Sequence, residues 1–267
     1  MSDQIIGLHD WFATPPGRYL LAWERAQLDL AVADMFGFHA LQLGLPELEG
    51  LVANRMPHRW LATQTPMPGA AFVTDFSALP FPASSLDLVV LPHSLELAPD
   101  PHTTLREVER VLVPDGRVVI CGLNPASLWG LRQRRAHLYH RLGFGHMFLP
   151  EAGEFIGYWR LRDWLRLLGF EVEVGRFGCY RPALSSPKWL QRFEWMDRAG
   201  DRWWPILGAV YFLVAVKRVR GMTLLSPAWK SSRMLVNTPV SVANSSTLTR
   251  AAALNDIKIG RDWIEHD

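Results

Sequence analysis

The chain has 267 residues, 49% of them hydrophobic and 20% charged, with a formal net charge of +2. That length and apolar share suit one large domain with a filled core, and the near balance of charge excludes a global field drawing in nucleic acid or a membrane surface. Two cysteines, Cys121 and Cys179, provide neither a disulfide framework nor metal-ligand spacing.

The N-terminal MSDQIIGLHDWF lacks a basic segment followed by an apolar one, so no signal peptide is expected. The longest apolar run, Trp203 to Val216, is too short to span a membrane and is broken by Pro205 and Gly208. A cytoplasmic, reducing setting and no membrane partner are the default expectations.

Thr14-Pro15 opens a predicted helix that Gly37 closes, with Leu21, Leu28, Val32 and Met35 on one face. Phe38 to Gly44 is the first predicted strand and Arg59 to Gln64 the second. The stretch between Leu45 and His58 is short for an intervening helix. Ala71 to Thr74 forms a third strand, leading into Asp75-Phe76 and Leu79-Pro80-Phe81.

Leu86 to Leu91 is a β-branched, nearly all-apolar run, as befits a strand buried on both faces of a parallel sheet. Asp100 caps a helix beginning at Pro101, and Leu105, Val108, Val111 and Leu112 recur at helical spacing. Pro114-Asp115-Gly116 makes a turn into a second buried strand, Arg117 to Leu123. Two parallel strands joined by a helix make a right-handed crossover unit.

Leu128 to Met147 is the most basic stretch, with Arg132, Arg134, Arg135, Arg141, His137, His140 and His146 around Tyr139 and Phe144. It reads either as a nucleic-acid contact or, preferably, as an amphipathic helix with Leu128, Leu131, Leu138 and Leu142 inward. No acidic or cysteine partner completes a metal set with His137 and His140, so no metal is expected. Trp159 to Leu168 is a further helix stopped at Gly169. Phe170 to Val174 begins a sixth strand, Lys188 to Arg198 a surface helix, and Val210 to Lys217 a last strand. Domain residues 1–219 are then followed by a Ser-, Pro- and Asn-rich segment, 220–267, expected to be a flexible tail.

In order and spacing, Leu79-Pro80-Phe81, Asp87-Leu88-Val89-Val90, Leu95-Glu96, Leu105 to Leu112 and Pro114-Asp115-Gly116 resemble the middle of class I S-adenosylmethionine (SAM)-dependent methyltransferases of the type 11 branch. The resemblance runs from about Pro15 to Val219. It implies an α/β fold: a doubly wound, Rossmann-like seven-stranded sheet with helices on both faces and the last strand antiparallel, between the fifth and sixth. It also implies S-adenosyl-L-methionine as cofactor and methyl transfer to an unidentified acceptor.

By the same resemblance, Leu43 and Gly44 stand at the glycine turn that meets the methionine part of SAM. Gln42 replaces the family's acid and Leu45-Pro46 the rest of its glycines. Gln64 stands where a ribose-binding acid is usual. Asp75 takes the position that accepts from the adenine amino group, or else caps a turn, and Phe76 packs on the ring.

Pro92-His93-Ser94 follows the fourth strand, where ligands of doubly wound sheets sit, so His93 is assigned to the cofactor site and read either as a general base or as a hydrogen-bonded pocket wall. Asn124, after the fifth strand, is read as lining the pocket and able to orient an amine. The alternative to an enzyme is a methyltransferase-like binding module that has lost catalysis, RNA-associated through the Arg132–Arg141 stretch.

Overall fold

A computed structural model describes residues 10–141 and 155–218. Seven strands form one sheet in the order β3-β2-β1-β4-β5-β7-β6. They are β1 (His39–Leu43), β2 (His58–Thr63), β3 (Phe72–Val73), β4 (Leu86–Pro92), β5 (Leu112–Leu123), β6 (Phe170–Gly178) and β7 (Val210–Lys217). β7 runs antiparallel to both β5 and β6. The expected architecture and the position of the last strand are therefore observed.

Alternation along the central strands sends successive side chains to opposite faces, and helices cover both. On one face Val89, Leu91, Val118, Ile120 and Leu213 pack against Leu105, Val108 and Val111 of α3 (Pro101–Val111) and Leu161 and Leu165 of α5 (Tyr158–Leu167). On the other, Leu88, Val90, Val119, Cys121 and Val214 meet Leu28 and Val32 of α1 (Pro15–Val32). Each such side chain contributes about 1.5–3 kcal/mol when fully buried. Cys121 lies in this layer as a small apolar group.

Local signals account for most element ends. The Thr14 hydroxyl caps α1, and the Asp100 carboxylate accepts from the backbone of His102 and Thr103 at the start of α3. Asp87, at the start of β4, accepts from the N–H groups of Phe38 and His39 at 2.8 and 2.9 Å, aligning β1 beside β4.

Four expectations need correction. α1 ends at Val32, not Gly37; Gly37 instead lets the chain pass Asp87, whose Cβ would stand 2.4 Å from an added methyl. Pro114-Asp115-Gly116 lies within the single long strand β5. There Leu86 pairs with Leu112 but Leu88 with Arg117, so the turn bulges out of the ladder.

Lys188 to Arg198 is not one helix but two, α6 (Pro187–Arg192) and α7 (Trp195–Trp203). In α4 (Leu128–Arg141), Leu128 and Leu131 are 49% and 55% exposed, while Trp129 and Gln133 are buried. The helix is rotated because the larger Trp129 packs into the buried cluster of Trp11, Phe12, Leu20, Leu123 and Val210. The expectations for Leu142, Phe144 and His146, for the side chains of Leu138, His137, His140, Tyr139 and Arg141, and for the tail fall outside the described residues.

Candidate cofactor cleft and buried carboxylate–histidine cluster

β1 and β4 are neighbours whose connections leave toward opposite sides of the sheet, and their carboxyl ends open the crevice in which doubly wound sheets bind ligands. Gly44 ends β1 with φ 78°, a left-handed backbone that glycine adopts without strain. A methyl group added there would lie 3.5 Å from Ser94 Oγ and 3.7 Å from the Phe76 ring. Without it, the Gly44 backbone forms a bare floor.

The truncated turn that follows is held together by Gln42. Its amide donates to the carbonyls of Gly44 and Leu45 at 3.0 and 2.8 Å and accepts from the N–H of Gly50 at 2.8 Å. Where the resemblance leads one to expect an acid, this chain uses a neutral side chain that both donates and accepts. In place of a longer glycine loop and helix, only a 3₁₀ turn, Pro46–Leu48, follows.

Gly44, Leu45, Gln64, Phe76, Ser94 and Leu97 line a small inner cavity of ≈ 30 Å³. It adjoins a groove of ≈ 770 Å³ lined by Gln64, Thr65, Asp75, Ser77, Asp100 and Thr103. Gln64 and Thr65 belong to both, so the floor at Gly44 continues outward to Asp75. Asp75 is exposed, and its carboxylate accepts from the N–H of Ser77 at 2.9 Å, which holds its pKa below the usual carboxylate value. Leu43 is buried, and its carbonyl accepts from the Ser94 hydroxyl.

His93 takes a different position from its neighbours. Pro92 and Ser94 line the inner cavity, but the His93 ring is buried between two carboxylates. Nε2 lies 3.0 Å from Glu24 Oε1 and Nδ1 lies 2.9 Å from Glu96 Oε2, with the Phe12 ring 5.8 Å away. Burial works to lower the histidine pKa, but Glu24 and then Glu96 outweigh it and raise it to about 10. Both ring nitrogens are thus engaged by carboxyl oxygens of Glu24 and Glu96.

Burial raises the pKa of Glu96, against the pull of His93 and of the Leu123 N–H that it also accepts. The second oxygen of Glu24, Oε2, is buried with no hydrogen-bond partner. His93 reaches this place through a left-handed backbone, φ 52°, between the end of β4 and the short helix α2 (Ser94–Leu97).

Asn124 is likewise committed. Its amide donates to the carbonyls of Ile206 and Gly208 at 2.7 and 2.8 Å, and its oxygen accepts from Ala126 N–H at 3.1 Å. It clamps the chain entering β7 to the chain leaving β5.

The fold thus gathers Gly44, Gln64, Asp75 and Phe76 along one cleft and leaves Leu43, His93 and Asn124 behind its wall. Sequence reasoning missed Glu24, although the signal was present: Leu20, Glu24 and Leu28 recur every four residues, so a carboxylate interrupts the apolar stripe of α1. It also missed the bracing role of Ser94, for which no sequence signal exists. Among the described residues, no group of three or more His, Cys, Asp or Glu could hold a metal, and no helix is long and apolar enough to cross a membrane.

The methyltransferase domain family matches residues 56–120, which contain most of the cleft. Over 225 residues the chain is 33% identical to the uncharacterized protein YafS of Escherichia coli, covering 80% of this chain and 82% of that one. A shorter stretch of 94 residues is 41% identical to the malonyl-[acyl-carrier protein] O-methyltransferase of Halorhodospira halophila, covering 35% of this chain and 29% of the relative. Among solved structures, a chain of the complex between the Haloferax volcanii Trm112 methyltransferase activator and a methyltransferase superposes with a TM-score of 0.53 at 18% identity. The match covers 82% of this chain and 99% of the other, a likeness of fold alone.

Proposed function

We propose that the chain is a class I SAM-dependent methyltransferase of the type 11 branch, whose domain model matches residues 56–120, and that its cleft binds SAM and transfers the methyl group to an acceptor held above β4 and β5. The observation that carries this reading is the bare, left-handed Gly44 at the end of β1, continuous through Gln64 with Asp75. The residues fit the cofactor in kind: the Gly44 backbone beneath the methionine part, Gln64 beside the ribose, Phe76 and the Asp75 carboxylate at the adenine. When bound, SAM supplies a methyl group already activated by its sulfonium.

The protein then mainly has to bind, align and exclude water. His93 is not used as the base in this reading, because both its ring nitrogens are engaged by the buried carboxyl groups of Glu24 and Glu96. Its part is to brace β4 against α1 below the cleft, and Asn124 fixes the wall at β5 in the same way. An acceptor that reacts as a neutral nucleophile needs no base from this wall.

A second reading, a binding module without catalysis, draws on the narrow inner cavity and on Pro46, which offers no N–H where the family has a glycine. Calorimetric titration of SAM and of its demethylated product separates the two. Binding that Asp75→Ala weakens about tenfold, as loss of one charge-assisted hydrogen bond should, supports the enzyme. Absence of binding to the folded chain discards it in favour of the module.

A further inference from the structure

β5 and β6 end, and β7 begins, at the same edge of the sheet as the cleft, so two helical segments emerge there: α4 after Asn124, and α6 with α7 between Gly178 and Val210. The second segment is well anchored. Its Asp197 carboxylate accepts from Arg181 Nε at 2.9 Å and from the Tyr19 hydroxyl of α1, and the Trp129 indole of α4 donates to the Arg181 carbonyl at 2.7 Å. Asn124 then holds the carbonyls of Ile206 and Gly208 to the start of α4.

Yet between those anchors Trp203 is 74% exposed, and Trp204, Ile206 and Leu207 are exposed beside it, as are Leu128 and Leu131 on α4. Large apolar side chains presented by a fixed backbone mark a contact surface, not loose packing. The charge on the same segments is one-sided. Arg134, Arg135, Lys188, Arg192, Arg198 and Arg202 are exposed, against only Glu194 and Asp201, since Asp197 is spent on Arg181.

We propose that this edge of the domain docks on an anionic lipid bilayer, Trp203, Trp204, Ile206 and Leu207 entering the interface while the exposed cations of the same segments meet the headgroups. Tryptophan prefers the boundary between headgroup and acyl chain, aliphatic side chains enter just below it, and basic residues are drawn to anionic lipid. The pattern suits lipid better than RNA, because exposed Leu128, Leu131, Ile206 and Leu207 have neither a ring to stack on a base nor a donor for a phosphate. It suits lipid better than a second copy, because two such basic faces would repel. The contact is peripheral, since no described helix can cross the membrane. It departs from the expectation of no membrane partner and does not depend on methyl transfer.

The test is co-sedimentation of the full chain with vesicles of phosphatidylcholine alone and of phosphatidylcholine mixed with phosphatidylglycerol, reading tryptophan emission in parallel. The expected result is binding at least about tenfold tighter to the anionic vesicles, with a blue shift. The double variant Trp203→Ala/Trp204→Ala should lose about tenfold or more of that binding while keeping its circular dichroism and its response to SAM. Equal binding by parent and variant, binding to single-stranded RNA but not to vesicles, or concentration-dependent dimerisation that the variant abolishes would each overturn the proposal. SAM titration of the same samples keeps a failure here separate from a failure of the methyltransferase reading.

Discussion

Glu24 Oε1 and His93 Nε2 stand 3.0 Å apart, both buried, and join the first helix to the end of β4 across 69 residues of chain. With Glu96 on the other ring nitrogen, one imidazole lies between two buried carboxyl groups. Such a cluster is costly to assemble and more costly to break, because removing one partner leaves its neighbours buried and unpaired. His93→Gln is therefore expected to lower unfolding free energy by about 3–5 kcal/mol in urea titration. A change below about 1 kcal/mol would mean that the carboxylates do not rely on the imidazolium charge.

The same cluster sets a pH dependence. The pKa of His93 is raised to about 10 in the folded chain from 6.5, so the folded state holds its proton more tightly. The stabilisation is complete below about pH 6.5 and is lost as pH rises through the folded value. The unfolding free energy of the parent from urea titration should fall between pH 7 and 10 by an amount on the order of a few kcal/mol, while that of His93→Gln stays comparatively flat. Parallel profiles for the two proteins would count against the pairing.

Gly44 is open to a sharper test than deletion. In Gly44→Ala the new methyl meets Ser94 and Phe76 at ordinary contact distances, 3.5 and 3.7 Å, so the local packing tolerates it. The left-handed backbone then costs about 1–2 kcal/mol, and the methyl stands on the cleft floor. Calorimetry should show SAM binding weakened at least about tenfold, with cooperative unfolding retained. Unchanged affinity would place the cofactor elsewhere.

The rotation of α4 predicts opposite outcomes two residues apart. Trp129→Ala empties a buried site and should cost about 3–5 kcal/mol, whereas Leu131→Lys changes an exposed position and should remain within about 0.5 kcal/mol. Thermal or urea unfolding of the two variants decides it. A large loss for Leu131→Lys would restore the inward leucine face.

The amino-acid sequence by itself determined the sheet. Strands such as Leu86–Pro92 and Val210–Lys217 are apolar enough to be buried on both faces, and the caps at Thr14 and Asp100 are local, one side chain satisfying N–H groups two or three residues on. Gly44, Gln64, Asp75 and Phe76 were legible through the family resemblance, and they share a cleft because residues at strand carboxyl ends of a parallel sheet converge where the strands lie side by side.

Only the tertiary structure decided which polar groups are spent on the protein itself. His93 follows β4 as an active-site base would, but whether its ring faces the cleft depends on Glu24, far away in the chain, and on a left-handed turn that no local pattern announces. Asn124 is claimed by carbonyls more than eighty residues on, and α4 turns toward the larger side chain, Trp129, and not toward its leucines. Periodicity records which side chains share a face; long-range hydrogen bonds and the volume to be filled choose which face turns inward.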